Sequence, residues 1–540
     1  MDTLVTVSAL ADDPAWETLV ASIPQGGKVP ALSEILELFR DLGAGSVISE
    51  GRYIDRDFSA AYAAFYAALF EPHLKYCRRL HFFEGDISPA VSSTDPSEIA
   101  LNIEATAPDY LGYVVLRPVL HAPVGAAIVS ADHFVAKGRG EVSVKSSYAV
   151  HLLGAELTIQ GIPVTAQDSR VGACAQSAIW TIGRHFTSKH GSPWFSLPEI
   201  TELALVPTDS FISRSLPIGS EYLTPDNMVR ALRAMDRHPV VYARSDFSDP
   251  TSWPQPPAEI VHRYLDSGIP VIIGLAPTPP NSIGHAVVAV GHKLEPAFDP
   301  ALLKERPTPA AEISDFLVND DQRGVYRYLP NLSSRKDYPW SLSEHCLYLI
   351  VPLPSKVFFK ADVAEALARI YLANVVRQRA DICNATGLES TTLEPVPDDF
   401  QLAMDGDLLV GRTYLTFGWK YKERALRNGI PTELKEEILI RQFPRFVWVT
   451  EFSLASETYG QEPSDRRVRA HVVLDATGNR FGESAMVVDV PGLAVLWSAA
   501  PGGDIPQRSL IARITSVTGG YFSKIRGVRS INTALQDSQH

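Results

Sequence analysis

The chain has 540 residues, 45% hydrophobic and 21% charged, a composition of ordinary globular material that argues against a fibre, a repeat array or wholesale disorder. It is too long for one hydrophobic core and suggests roughly three or four folding units. With 62 acidic against 49 basic side chains and a formal charge of −13, it lacks the concentrated basic face that a general nucleic-acid binder needs.

Met1 to Asp13 has neither a basic start nor an apolar run, so no signal peptide is expected. No stretch of about 18 apolar residues occurs, so no membrane span is expected and the setting reads as cytoplasmic. The first ninety residues read as helical, with apolar spacing over Pro30 to Phe39 and again over Phe58 to Phe70. A Pro/Ser/Thr-rich break follows from Ser88 to Pro96. Beyond it Tyr113 to Leu120 and Val142 to Leu153 are β-branched and bounded by Gly and Pro, as strands are.

From Gln167 to about Leu353 the pattern is three helices followed by strands. The first helix opens at Cys174 and places Ala178, Ile179, Ile182 and Phe186 on one face. Thr224 and Pro225 form the N-cap and first position of the second. The third spans Ala258 to Ser267 and ends at Gly268, running into the strand Val271 to Leu275. Ala286 to Val290, Asp315 to Val318 and Leu347 to Leu353 are further strands, and a helix is expected over Ala361 to Arg379. The tail from about Asp405 again reads mostly as strand, with Val447 to Glu451 and Val472 to Asp475 the clearest cases. Arg466, Arg467 and Arg469 form a local basic cluster, read as a solvated loop.

Cys77, Cys174, Cys346 and Cys383 are scattered and suit free thiols in a reducing compartment. No C-x-x-C pair or H-E-x-x-H motif occurs, so no metal and no organic cofactor are expected. Cys174 differs from the other three in following Gly172 and Ala173 at a helix start, where the positive end of the dipole favours a thiolate. Gly284-His285 stands at the mouth of a strand, a place for a general base. His292 is the rival, but it lies seven positions on and would face the other side of a continuous strand. The imidazole needs a group to fix its tautomer. Asn319, Asp320 and Asp321 all end the next strand, and alternation sets Asp320 opposite its two neighbours, so Asp320 is taken as the third member. For an oxyanion hole the backbone N–H of Cys174 is one donor and Gln167, seven residues upstream, a natural second.

These segments resemble the papain-like cysteine peptidase superfamily. Gly284 to Gly291 looks like the His-Ala-Val strand of plant papains, and Val171 to Ala175 like the segment around their nucleophile. The likeness is closer to bacterial double-glycine peptidases and their stand-alone relatives. There the features are a Gln before the Cys helix, an Asp-Ser-Gly-Ile-Pro-Val strand (Asp266 to Val271), Gly-His-x-Val, and a Val-Asn-Asp strand end (Val318 to Asp320). It covers only about 167–353. The resemblance implies Cys174 as nucleophile, His285 as base, Asp320 as orienting acid and Gln167 as oxyanion donor. Three departures are present. Asp168, not Gln167, holds the family's position six before the Cys; Asp321 stands where a Pro is expected; and the segment from Leu294 to Ile313 lengthens the connection from His to acid. The Cys-to-His separation of 111 residues is shorter than the ~130–150 of papain and the cathepsins.

The expected architecture is α+β. A papain-like core over 161–355, with the Cys helix packed on an antiparallel sheet bearing His and Asp, follows an N-terminal helical then β-rich region (1–160) and precedes a C-terminal α+β region (356–540). The expected function is a cysteine-nucleophile hydrolase, a peptidase acting on a protein or peptide substrate, with no nucleic acid and no membrane partner. The flanking regions are expected to serve recognition or a regulatory partner. The alternatives are an acyltransferase, transglutaminase-like or deamidase-like enzyme using the same site, and an inactive papain-like binding scaffold.

Overall fold

The computed structural model describes residues 4–24, 27–168, 173–205, 223–278, 284–295, 298–299, 306–385, 393–427, 432–459, 467–478, 483–498 and 507–512. Val171, Gly172 and Arg466 therefore lie outside the described residues. The fold is α+β with antiparallel sheets, and no described helix is long and apolar enough to cross a membrane.

The chain separates into two compact units whose boundaries differ from the three regions expected. The first comprises Met1–Pro254, Pro270–Leu294 and Ser314–Pro352, and the second Gln255–Ile269, Glu295–Ile313 and Leu353–His540.

The first unit holds two sheets and a hairpin. Strands β1 (Val5–Ala9), β2 (Ala44–Tyr53), β3 (Cys77–Glu84), β4 (Tyr110–Leu116) and β5 (Val124–Val129) pair in sequence order as an antiparallel meander. Three of these lie in the stretch read as helical. The helix Pro30–Asp41 does form as expected, burying Leu32, Ile35, Leu36 and Phe39. The second helical run shortens to Arg56–Ala64 and a 3-10 turn. The amphipathic spacing between the strands obscured β1, which is only five residues long, and β2, whose alternation is broken by Gly45 and Gly51. The hairpin β6 (Ser146–Leu152) and β7 (Ala155–Gly161) covers a core of Ile48, Phe83, Ile103, Ile128, Leu157 and Ile159.

The second sheet of this unit carries the chemistry of interest. It contains β8 (Arg237–Ala243), β9 (Val271–Leu275), β10 (His285–Leu294), β11 (Ile313–Asp320), β12 (Gly324–Pro330) and β13 (Cys346–Pro354), in the order β12-β11-β10-β9-β13-β8. Every residue of β9 and those from His285 to His292 are buried, which explains the continuous apolar runs instead of alternation. The helix Cys174–His190 packs on β10. Its buried Ile179, Ile182 and Phe186 each contribute roughly 1.5–3 kcal/mol of hydrophobic burial.

The N-terminal region belongs to this unit because its side chains hold the Cys174 helix. Asp57, on the helix Arg56–Ala64, accepts from Trp180 Nε1 at 2.8 Å and pairs with Arg184 Nη2 at 3.0 Å. Ser146 on β6 meets His185 Nδ1 at 2.7 Å.

The second unit is built on a six-stranded meander, β14 (Val410–Phe417), β15 (Phe446–Ser453), β16 (Ala470–Asp475), β17 (Ala485–Val490), β18 (Leu493–Ser498) and β19 (Gln507–Ala512). Its core includes Tyr414, Val447, Val449, Val473, Val487 and Leu496. The helix Pro257–Asp266, expected in the middle region, falls here because charge holds it. Arg263 pairs with Glu365 at 2.8 Å, and Arg412 with Asp266 at 2.7 Å and Glu451 at 3.2 Å. Tyr414 donates to the other Glu451 oxygen at 2.9 Å. At the edge of this unit Arg469 pairs with Glu457 at 2.6 Å, so that member of the basic cluster is neutralised.

Arg412 is shared by two buried carboxylates, and removing it takes from both their closest cation, leaving Glu451 with the Tyr414 hydroxyl and Asp266 with His262 at 3.8 Å. Arg412→Ala should lower the unfolding free energy of the second unit by about 3–5 kcal/mol, read as a fall in its denaturant midpoint. A loss under about 1 kcal/mol would mean that the cluster is solvated.

Candidate active site

Cys174 is the first residue of its 17-residue helix, preceded by Ala173 in extended backbone. The helix start has no oxygen-bearing cap; instead the buried Gln176 reaches back, and its Oε1 accepts from Ala173 N at 3.3 Å. The backbone N–H groups of the first turn are thereby left facing the end where the thiol sits. Cys174 is partly exposed, whereas Cys77, Cys346 and Cys383 are buried and none of the four is in a disulfide. Burial pushes the Cys77 thiol up to about 12 and raises those of Cys346 and Cys383 as well. Those three are poor sources of thiolate at neutral pH.

His285 opens β10 opposite Leu275. A side chain at Gly284 would place its Cβ 2.6 Å from the Leu275 carbonyl oxygen, so the Gly-His pair of the sequence reflects a close backbone approach at this point. The imidazole is 4% exposed. Its Nε2–H donates to Asp320 Oδ1 at 2.9 Å, and the ring also hydrogen-bonds the Cys174 side chain. Trp340 stacks on it at 5.1 Å between ring centres, and Trp340 Nε1 is fixed by the Ala276 carbonyl at 3.0 Å. Cys174, His285 and Asp320 are thus brought together.

Asp320 is fully buried and held from several sides: Tyr338 donates to Oδ2 at 2.7 Å and the backbone N–H of Gln322 to Oδ1 at 2.9 Å. Burial alone would raise its carboxyl, but the charge and hydrogen bond of His285, with those two donors, hold it below the ordinary carboxylate value. The ring responds in kind. Burial works against the imidazolium, yet the charge and hydrogen bond of Asp320, the bond to Cys174 and the charge of Asp321 keep His285 well above its ordinary 6.5.

The neighbours of Asp320 behave differently from each other. Asn319 faces away, its Nδ2 bonding the Ile162 and Pro163 carbonyls at 3.2 Å each. Asp321 does not alternate away from the ring. The β11 register shifts between Val318 and Asp320 and the strand ends there, so Asp321 swings back to place Oδ1 3.7 Å from His285 Nε2. Both of its carboxylate oxygens are buried without a hydrogen-bond partner. Burial, with the adjacent Asp320 charge adding to it and the ring opposing, pushes this carboxyl up to about 7.

Gln167 is half-buried, and no contact joins its side chain to Cys174 or His285 among the described residues. Asp168, the residue at the family's Gln position, is buried and accepts from Tyr66 Oη. Gln322, which the sequence reading passed over, is exposed and has Nε2 3.5 Å from His285 Nδ1. Tyr338 and Trp340 were missed too; two aromatics spaced i, i+2 shortly after a strand were the available signal. His292 is buried with Nε2 4.0 Å from Glu141, apart from the site.

In comparisons with known families and with curated proteins, nothing matches the chain.

The raised His285 and lowered Asp320 define a pH window. Asp320 contributes stability above the unfolded carboxylate value and loses it as pH falls through its lowered one. His285 contributes below about 6.5 and loses it as pH rises through its raised value. The stability difference between wild type and Asp320→Asn should therefore be widest between these limits and shrink on either side, as read from denaturant midpoints from acid to alkaline pH. A difference independent of pH would mean that the two groups are not coupled.

Proposed function

We propose that the protein is a cysteine-nucleophile hydrolase cleaving an amide bond of a protein or peptide, built on a papain-like core. The observation that carries this reading is that one imidazole joins Cys174 to a buried carboxylate: Nε2 on Asp320 at 2.9 Å, and the same ring hydrogen-bonded to the thiol. The helix-plus-sheet arrangement, the order Cys, His, Asp along the chain and the Gly-His strand support the same reading.

The chemistry follows from the proton inventory. With Nε2–H committed to Asp320, Nδ1 is the nitrogen left to take the Cys174 proton. The thiolate adds to the substrate carbonyl carbon, and the negative oxygen of the tetrahedral intermediate is stabilised by first-turn N–H groups, that of Cys174 foremost. Nδ1–H then protonates the departing amine as the C–N bond breaks, leaving a thioester. Water, giving its proton to Nδ1, attacks the thioester; the C–S bond breaks and a carboxylic acid and free Cys174 are regenerated. Stacked Trp340 and buried Tyr338 exclude water from the Asp320 side, which strengthens the His285–Asp320 bond. No oxyanion role is assigned to Gln167. The free cysteines suit a cytoplasmic setting.

A mixture of denatured proteins is a suitable first substrate. Incubation should yield new peptide ends read by mass, with Cys174→Ala and His285→Ala each reducing the rate by at least about 10³-fold. Transfer of an added primary amine onto substrate glutamine, without backbone cleavage, would overturn peptide hydrolysis in favour of acyl transfer. Cleavage that persists in Cys174→Ala would remove Cys174 as the nucleophile.

A further inference from the structure

We propose that His285 Nε2, Asp320 and Asp321 form a divalent-cation site suited to Zn²⁺, and that its occupation silences the Cys174 thiol. The first observation is geometric. One donor atom from each of the three residues lies within 4.8 Å of the others, with Nε2 2.9 Å from Asp320 Oδ1 and 3.7 Å from Asp321 Oδ1. Zinc bonds of ~2.0–2.2 Å to nitrogen and oxygen require ligand atoms roughly 3.2–3.6 Å apart, and these two separations bracket that range.

The second observation is independent of the first. Asp321 is 5% exposed, and neither carboxylate oxygen has a hydrogen-bond partner. A buried acceptor with nothing donated to it is costly unless something satisfies it. A cation shared with Nε2 does so, and the donors around Asp320 are already in place as an outer shell: Tyr338 Oη at 2.7 Å and Gln322 N at 2.9 Å. One imidazole and two carboxylates suit zinc, whereas calcium and magnesium prefer six or more oxygen ligands.

Silencing follows from the imidazole tautomer. Zinc at Nε2 displaces the proton from that nitrogen, and a neutral ring then carries its single proton on Nδ1. Nδ1 can donate but can no longer accept, so the Cys174 proton has no base to go to. Binding itself stands apart from the hydrolase reading; only this consequence rests on it.

The test uses the full-length reduced chain and Zn²⁺ alone. Cys174→Ala removes the thiol as a ligand, and its zinc affinity is measured by competition with a chromogenic chelator. One equivalent should bind, and Cys174→Ala/Asp321→Asn should bind at least about 10-fold more weakly. Equal affinity in the two proteins overturns the site. As a check on folding, Zn²⁺ should raise the melting temperature of Cys174→Ala more than that of the double variant; equal rises, or none, also overturn it. In wild type, one equivalent of Zn²⁺ should slow iodoacetamide labelling of Cys174 at least about 10-fold, with recovery on chelation. Unchanged labelling while zinc is bound overturns the silencing. Slow labelling already without zinc is a failure of the hydrolase reading and leaves the binding result standing.

Discussion

The hydrogen bond between His285 and Asp320 is the constraint on which the candidate site depends. It lies between strands buried on both faces, where the effective dielectric is low and an unmatched charge is expensive. Both partners therefore have to be satisfied. Asp320 is met by His285, Tyr338 and the Gln322 N–H, and the ring by Asp320 and the Cys174 thiol. Fixing Nε2 on Asp320 sets the tautomer and leaves Nδ1 as the ring nitrogen that the proposed mechanism uses. Cys174 could sit at a helix start for reasons of packing alone; its hydrogen bond to an oriented imidazole is what gives the position chemical meaning.

Much of the rest of the first unit serves to hold this geometry. The Cys174 helix is packed on the His285 strand and secured from the N-terminal region by Asp57, which meets Trp180 and Arg184. Gly284 permits the approach of chain that aligns β10 with β9. Asp321 departs from this economy. Its carboxylate is buried beside the ring with no donor of its own, a local conflict of the kind found where function outweighs stability.

The local features of the site were legible because each has a local cause. A helix start after Ala173, a Gly-His pair at a strand mouth and a strand ending in Asn-Asp-Asp are written in consecutive residues. Hydrophobic runs likewise located the strands β9, β10 and β11. What was not legible comes from chain reversal and from distance. Alternation along β11 predicted that Asp321 would point away, but alternation holds only while the strand continues, and it ends at Asp320. Asp57 lies 123 residues from Trp180, so no periodicity links them, and the N-terminal third read as a separate flank. The helix Pro257–Asp266 read as part of the middle region because its sequence runs directly into β9, while its ion pairs to Glu365 and Arg412 place it with the second unit.

The central claim is that Cys174 and His285 form an activated pair, and its most direct measurement is the rate of iodoacetamide labelling of each cysteine across pH, in wild type and in His285→Ala, read by mass. The account predicts rapid labelling of Cys174 below neutral pH, slowed strongly without His285, while Cys77, Cys346 and Cys383 label slowly throughout. Labelling of Cys174 at the rate of the other cysteines, unaffected by loss of His285, would contradict it.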